Sequence, residues 1–192
     1  MKVTLPIVLA MAFLAAARAS TRVTHLLGCA DPATTSAALE KTQRSWQQLS
    51  ATRVKQLWPE VLGEEKCTND DGSGCRVLRT QDRTKNHDFG CGVAFAFRTD
   101  RTTEGSSSEY LERIFVHYSA AKKEDAIAAS RMFARGLGVP EKKIATLGQE
   151  LRQSFEWSAQ FGGVRQSYSG EIDLRKNGDV WSLFLTVSAA QQ

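Results

Sequence analysis

Histidine, proline and cysteine are scarce in this chain, at 3, 4 and 4 of 192 residues. The three histidines, His25, His87 and His117, fall far apart, with no H-E-x-x-H helix and no paired Cys-x-x-Cys spacing. A zinc centre needs three or four converging ligands, so none is predicted, and no other metal or cofactor is implied. There is no Gly-x-Ser-x-Gly elbow for a serine hydrolase. The lone glycine of Gly105-Ser106-Ser107-Ser108 makes no phosphate-cradle pattern, and the segment reads as part of a solvated loop spanning Thr99 to Ser108. Charge of one sign is also missing. Basic residues interleave with acidic ones along the whole length, which argues against nucleic acid as a partner. No repeat recurs, and no linker rich in proline or glycine divides the chain, so one domain is expected. At 42% hydrophobic residues the composition is too apolar for disorder.

A long apolar run occurs once, at the start. Lys2 precedes Val3 to Ala17, interrupted by Thr4 and Pro6, and Ala17-Arg18-Ala19 offers an A-x-A cleavage site before Ser20. The run falls short of the ~20 residues that cross a bilayer. Residues 1–19 therefore read as a cleaved signal peptide, and residues 20–192 as a single exported domain, secreted or periplasmic, without a transmembrane segment. Cleavage would remove Lys2 and Arg18 and leave a net charge of about +2. Leu26-Leu27-Gly28-Cys29 has the look of a lipidation box, but six residues beginning at Ser20 separate it from the apolar run. A disulfide is the better use of Cys29.

All four cysteines, Cys29, Cys67, Cys75 and Cys91, lie in the mature part, and an even count in an exported chain points to two disulfides. Three pairings exist. Thr68 to Gly74 is turn-forming throughout and can bring Cys67 to Cys75, which leaves Cys29 for Cys91.

Asp31 followed by Pro32 marks a helix start, with Thr35, Ala38, Leu39, Thr42, Trp46 and Leu49 on one stripe. Arg53 to Trp58 reads as a short edge strand or a continuation of that helix. Arg76 to Arg79, Gly92 to Arg98 and Tyr110 to Ser119 are β-branched and aromatic runs. In the last, strict alternation groups Tyr110, Glu112, Ile114, Val116 and Tyr118 against Leu111, Arg113, Phe115 and His117. Both sets carry apolar weight, which places this strand centrally. A second helix is predicted from about Lys122 to Gly136 and a helical turn from Pro140 to Leu147. A strand follows at Leu151 to Ser158, then a hairpin, Gln166 to Arg175 and Asp179 to Ser188, turning at Lys176-Asn177-Gly178. The expected class is α+β: a mainly antiparallel sheet of five or six strands, with room for one parallel crossover between Tyr110 and Ser158, and two main helices on one face.

Candidate chemistry is thin. Asn69 to Gly74 resembles the first half of a calcium loop, but position twelve is Thr80 where a bidentate Glu belongs, so a disulfide-closed polar turn is the default. Cys91, set between Gly90 and Gly92, would be a nucleophile if free, with His117 as its base. Glu112, Glu156, Glu171 and Asp173 lie on predicted strands and include any carboxylate pair for glycoside cleavage. Most of Phe155, Trp157, Phe161, Tyr168, Trp181 and Phe184 should be core; Trp157 and Tyr168, if they share an exposed face, would form a ligand surface. The reading that follows is a non-catalytic binding protein of the envelope or extracellular space, for a protein, a glycan or an apolar ligand. The alternative is a small secreted hydrolase using Cys91 with a histidine, or a strand carboxylate pair.

Overall fold

A computed structural model describes residues 29–61, 63–68, 73–80, 91–101, 107–161 and 164–189. The expected signal peptide, His25, His87, most of the calcium-like turn and half of the Thr99 to Ser108 loop lie outside these.

The chain begins with helix α1 (Pro32–Gln43), whose start is fixed by Asp31: its carboxylate accepts a hydrogen bond from the Ala33 amide at 3.2 Å, with Pro32 in the first turn. After a single 3-10 turn at Trp46–Gln48, Ser50 caps helix α2 (Ala51–Leu57) by accepting from the Arg53 amide. Arg53 to Leu57 thus belong to a helix of their own, capped by Trp58, and are neither the edge strand nor the continuation of α1 that was expected. Strands β1 (Gly63–Thr68), β2 (Gly74–Arg79), β3 (Gly92–Arg101) and β4 (Ser107–Ala120) follow. Helices α3 (Lys123–Gly136) and α4 (Glu141–Ile144) connect these to β5 (Arg152–Phe161), β6 (Val164–Asn177) and β7 (Val180–Ala189).

The seven strands form one sheet in the order β1-β2-β3-β4-β7-β6-β5, antiparallel at every pairing. The described residues form an α+β arrangement with two disulfides, but with seven strands where five or six were expected, and four helices. No parallel crossover occurs among the described strands: α3 and α4 carry the chain from the central strand β4 to the far edge, where β5 pairs with β6. The additional strand is β1, whose sequence Gly-Glu-Glu-Lys-Cys-Thr holds no aliphatic residue and hides none of its side chains. It is held by its ladder to β2, in which Cys67 faces Cys75, and by charge pairs such as Lys55 with Glu64 at 2.7 Å and Arg79 with Glu65 at 3.2 Å.

Helix placement also differs from expectation. Helix α3 is the one that lies on the sheet, against β4 and β7, while α1 packs mainly on α3. Its acidic first turn, Glu124 and Asp125, and basic last turn, Arg135, suit the helix dipole. Trp46 ties this layer down by donating from Nε1 to the Leu111 carbonyl at 3.1 Å. Trp58 donates to Thr42 Oγ1 at 2.8 Å, and Thr42 in turn donates to the Ala38 carbonyl. One core results, built from Leu39, Val54 and Phe133 on the helices and from Phe95, Ile114, Ile172 and Leu185 on the strands.

The alternation assumed for β4 fails at one point. Ala96 faces Arg113, but Phe97 faces Leu111, so Glu112 is an extra residue and β4 bulges there. Leu111 and Ile114 consequently both point to the core, and only beyond the bulge does parity hold.

Candidate functional site

With every described helix in the single core cluster, one face of the sheet is covered and the other is left uncovered by the described helices. The register determines what the uncovered face displays. From β4 through β7 and β6 to β5, Arg113, Ser188, Ser169 and Glu156 form one row, and Phe115, Thr186, Glu171 and Ser154 the next. His117, Phe184, Asp173 and Arg152 form the third. On the β3 side the same rows run into Ala96, Ala94 and Gly92, which leave the surface beside β4 without bulk.

These rows are ordered in part by charge. Arg152 donates to Glu171 at 2.5 Å, and Arg175 donates to Asp173 through Nε and Nη2, at 2.9 and 2.5 Å. The hydrogen bond to Asp173 raises the Arg175 pKa and fixes its guanidinium 5.2 Å from the Phe184 ring centre. His117 stacks on the other ring contact of Phe184, with centroids 4.5 Å apart and planes 13° from parallel. Phe115 is 38% exposed, an unusual position for a phenylalanine in mid-sheet. Row one, and row two apart from Phe115, form much of the floor of an open cleft of about 700 Å³, which Lys143, Thr146 and Phe155 also line.

Trp157 and Tyr168 do share a face, but it is the covered one. They are 5% and 2% exposed, and their rings stack 5.2 Å apart between Phe155 and Trp46. A ligand surface made from these two side chains is therefore corrected to a core aromatic ladder: both belong to the inward parity of β5 and β6. Burial raises the Tyr168 phenol to about 12, and it raises Tyr118 to about 12 as well, with Asp125 and Asp31 adding to the latter shift.

Cys29 is bonded to Cys91, with Cα atoms 4.8 Å apart, and Cys67 to Cys75 at 4.9 Å. No cysteine among the described residues is free. Cys91 lies on the covered side and His117 on the other, so the thiol and base of the alternative reading are neither available nor adjacent. The disulfides also staple opposite sides: Cys91 belongs to the core cluster, whereas Cys75 shares the parity of Val77 on the uncovered face. Of the four candidate carboxylates, Glu112 sits in the bulge and Asp173 is engaged by Arg175. Glu156 and Glu171 are diagonal neighbours across β5 and β6, and Glu171 is engaged by Arg152. No group of three or more metal-ligating side chains converges among the described residues. No described helix is long and apolar enough to cross a membrane.

Arg113 and Phe115 had no place among the candidate site residues. The available signal was Phe115 itself, an aromatic residue of the parity opposite to Ile114, Val116 and Tyr118. No protein-family model, curated protein or solved structure matches the chain.

Proposed function

We propose that this chain is an exported, non-catalytic binding domain whose ligand surface is the uncovered face of the sheet. The observation that carries this reading is the composition of that face: an exposed phenylalanine beside three small β3 residues, bordered by ordered rows of hydroxyls, carboxylates and guanidinium groups. Apolar anchors ringed by polar groups are the general form of a recognition surface. The two disulfides and the short apolar leader support export. With Cys91 bonded to Cys29 and Trp157 buried, the face defined by Phe115 is the surface on which the reading rests.

Ligand-observed NMR with mixtures of small metabolites, peptides and sugars tests this, run on the wild-type protein and on Phe115→Glu. Ligands found with the wild type should lose binding to the variant. Equal binding to both would remove the uncovered face from the function.

A further inference from the structure

We infer that the free edge of β5 is a self-association surface, on which a second copy of this chain pairs antiparallel about a two-fold axis at Ser154. The direction of the backbone groups follows from one hydrogen bond. Leu174 donates from its amide to the Leu151 carbonyl at 2.6 Å, and these two residues stand opposite each other when the register of β5 and β6 is continued by one residue. Hydrogen-bonded pairs alternate with non-bonded ones in an antiparallel ladder, so Gln153, Phe155, Trp157 and Ala159 spend their backbone groups on β6. Arg152, Ser154, Glu156, Ser158 and Gln160 then point their N–H and C=O groups away from β6. Nothing among the described residues hydrogen-bonds to those outward groups.

Open edges invite pairing, and folds usually guard them with charge, proline, bulges or shortness. Strand β1, at the other end of the sheet, is six residues long with Glu64, Glu65 and Lys66 in succession. Strand β5 runs for ten residues without proline, lysine or a bulge against β6, and its two charges, Arg152 and Glu156, are of opposite sign. Those charges select the occupant. Of the two-fold centres from Gln153 to Ser158, only Ser154 sets unlike charges directly opposite, Arg152 facing the partner's Glu156 and Glu156 facing the partner's Arg152. A centre at Glu156 would set that carboxylate against itself. Both groups are available: Glu156 makes no ion pair among the described residues, and Arg152 uses Nε on Glu171, which leaves its Nη groups. The same register brings Leu151, 51% exposed, opposite the partner's Trp157 on the covered side. In this arrangement the two uncovered faces lie on the same side and form one continuous surface.

Sedimentation equilibrium of the exported protein over about 5 µM to 1 mM should show monomer and dimer in exchange. Hydrogen exchange of the Ser154, Glu156 and Ser158 amides should slow as the dimer fills. Ser154→Pro should remove the dimer while keeping the fold, because the N–H it deletes is one that the ladder to β6 does not use. Glu156→Arg and Arg152→Glu, both at exposed sites, each set like charges across the axis twice and should each weaken the dimer at least about tenfold. Mixing these two variants sets unlike charges opposite again at both positions and should restore pairing as a heterodimer. A protein that stays monomeric at every concentration overturns the inference. So does a dimer that Ser154→Pro and Glu156→Arg leave intact, and a mixture that fails to pair overturns the register. If these amides slow only with an added octapeptide of alternating threonine and valine, the edge serves another chain and self-pairing is overturned.

Discussion

Gly170 lies under the Phe155 ring, and this pair makes a quantitative test of how β5 is held. The two residues face each other across β5 and β6, and a Cβ placed on residue 170 would overlap the ring, with Cε2 only 2.6 Å away. The ring has little freedom to yield because it stacks on Trp157 at 5.5 Å, which itself stacks on Tyr168. In Gly170→Ala the ring must leave its place. Exposing a phenylalanine costs about 1.5–3 kcal/mol, and the alanine regains about 0.5–1 kcal/mol of strand preference, so a net loss of about 1–2 kcal/mol is expected. Phe155→Ala alone should cost about 3 kcal/mol, the low end for a core phenylalanine because β5 is an edge strand. With the ring gone, the new methyl enters vacated space, and Gly170→Ala in the Phe155→Ala background should be neutral or mildly stabilising. Urea unfolding of the four proteins, followed by near-ultraviolet circular dichroism, measures this cycle, and a coupling of about 2 kcal/mol is expected. If Gly170→Ala costs the same in both backgrounds, the ring is not what requires glycine here and the reasoning fails.

Other consequences concern staples, buried polar groups and pH. Replacing both Cys29 and Cys91 with serine opens a crosslink spanning 62 residues, and replacing Cys67 and Cys75 opens one spanning 8. Loop entropy assigns about 4 kcal/mol to the first and about 2.5 kcal/mol to the second, so thermal melting should fall further for the first pair. Thr42→Val removes the acceptor for the buried Trp58 indole and should cost about 1–3 kcal/mol in chemical denaturation. Tyr118 and Tyr168 titrate near 12 when folded against 10.0 as free phenols. Their contribution is therefore intact below pH 10 and lost as the pH rises from there toward 12. Phenolate absorbance at alkaline pH should show these two ionising together with loss of circular dichroism; ionisation of all tyrosines near pH 10 in a still-folded protein would contradict their burial.

The parts of this fold legible in the sequence are those with local causes. Asp31-Pro32 starts α1, and Asn177-Gly178 turns the last hairpin because Gly178 adopts φ +60°. Leu183, Leu185 and Val187 reveal the inward side of β7 by simple alternation. What was hidden depends on pairing register rather than on a strand's own residue pattern. Strand β1 has no hydrophobic pattern to read and exists through its ladder to β2. The bulge at Glu112 is invisible without the register against β3, and it shifts the parity of everything before it. Trp157 and Tyr168 share one face because the register sets them opposite each other across β5 and β6. That this face is the covered one follows from the alternation of Phe155 and Trp157 with Ser154 and Glu156, and of Ile172 and Leu174 with Glu171 and Asp173.

The sheet order has a kinetic implication. Strands β1 to β4 form one meander of sequential neighbours and β5 to β7 a second, and the two join only where β4 pairs with β7. In that seam Ala120 meets Trp181 and Arg113 meets Ser188, residues about 60–75 positions apart. Each meander can assemble by short loop closures, whereas the seam must close the longest loop before its contacts return anything. Joining the halves is then the slow event in refolding, and α3, which packs across both strands of the seam, has its docking surface completed only when they meet.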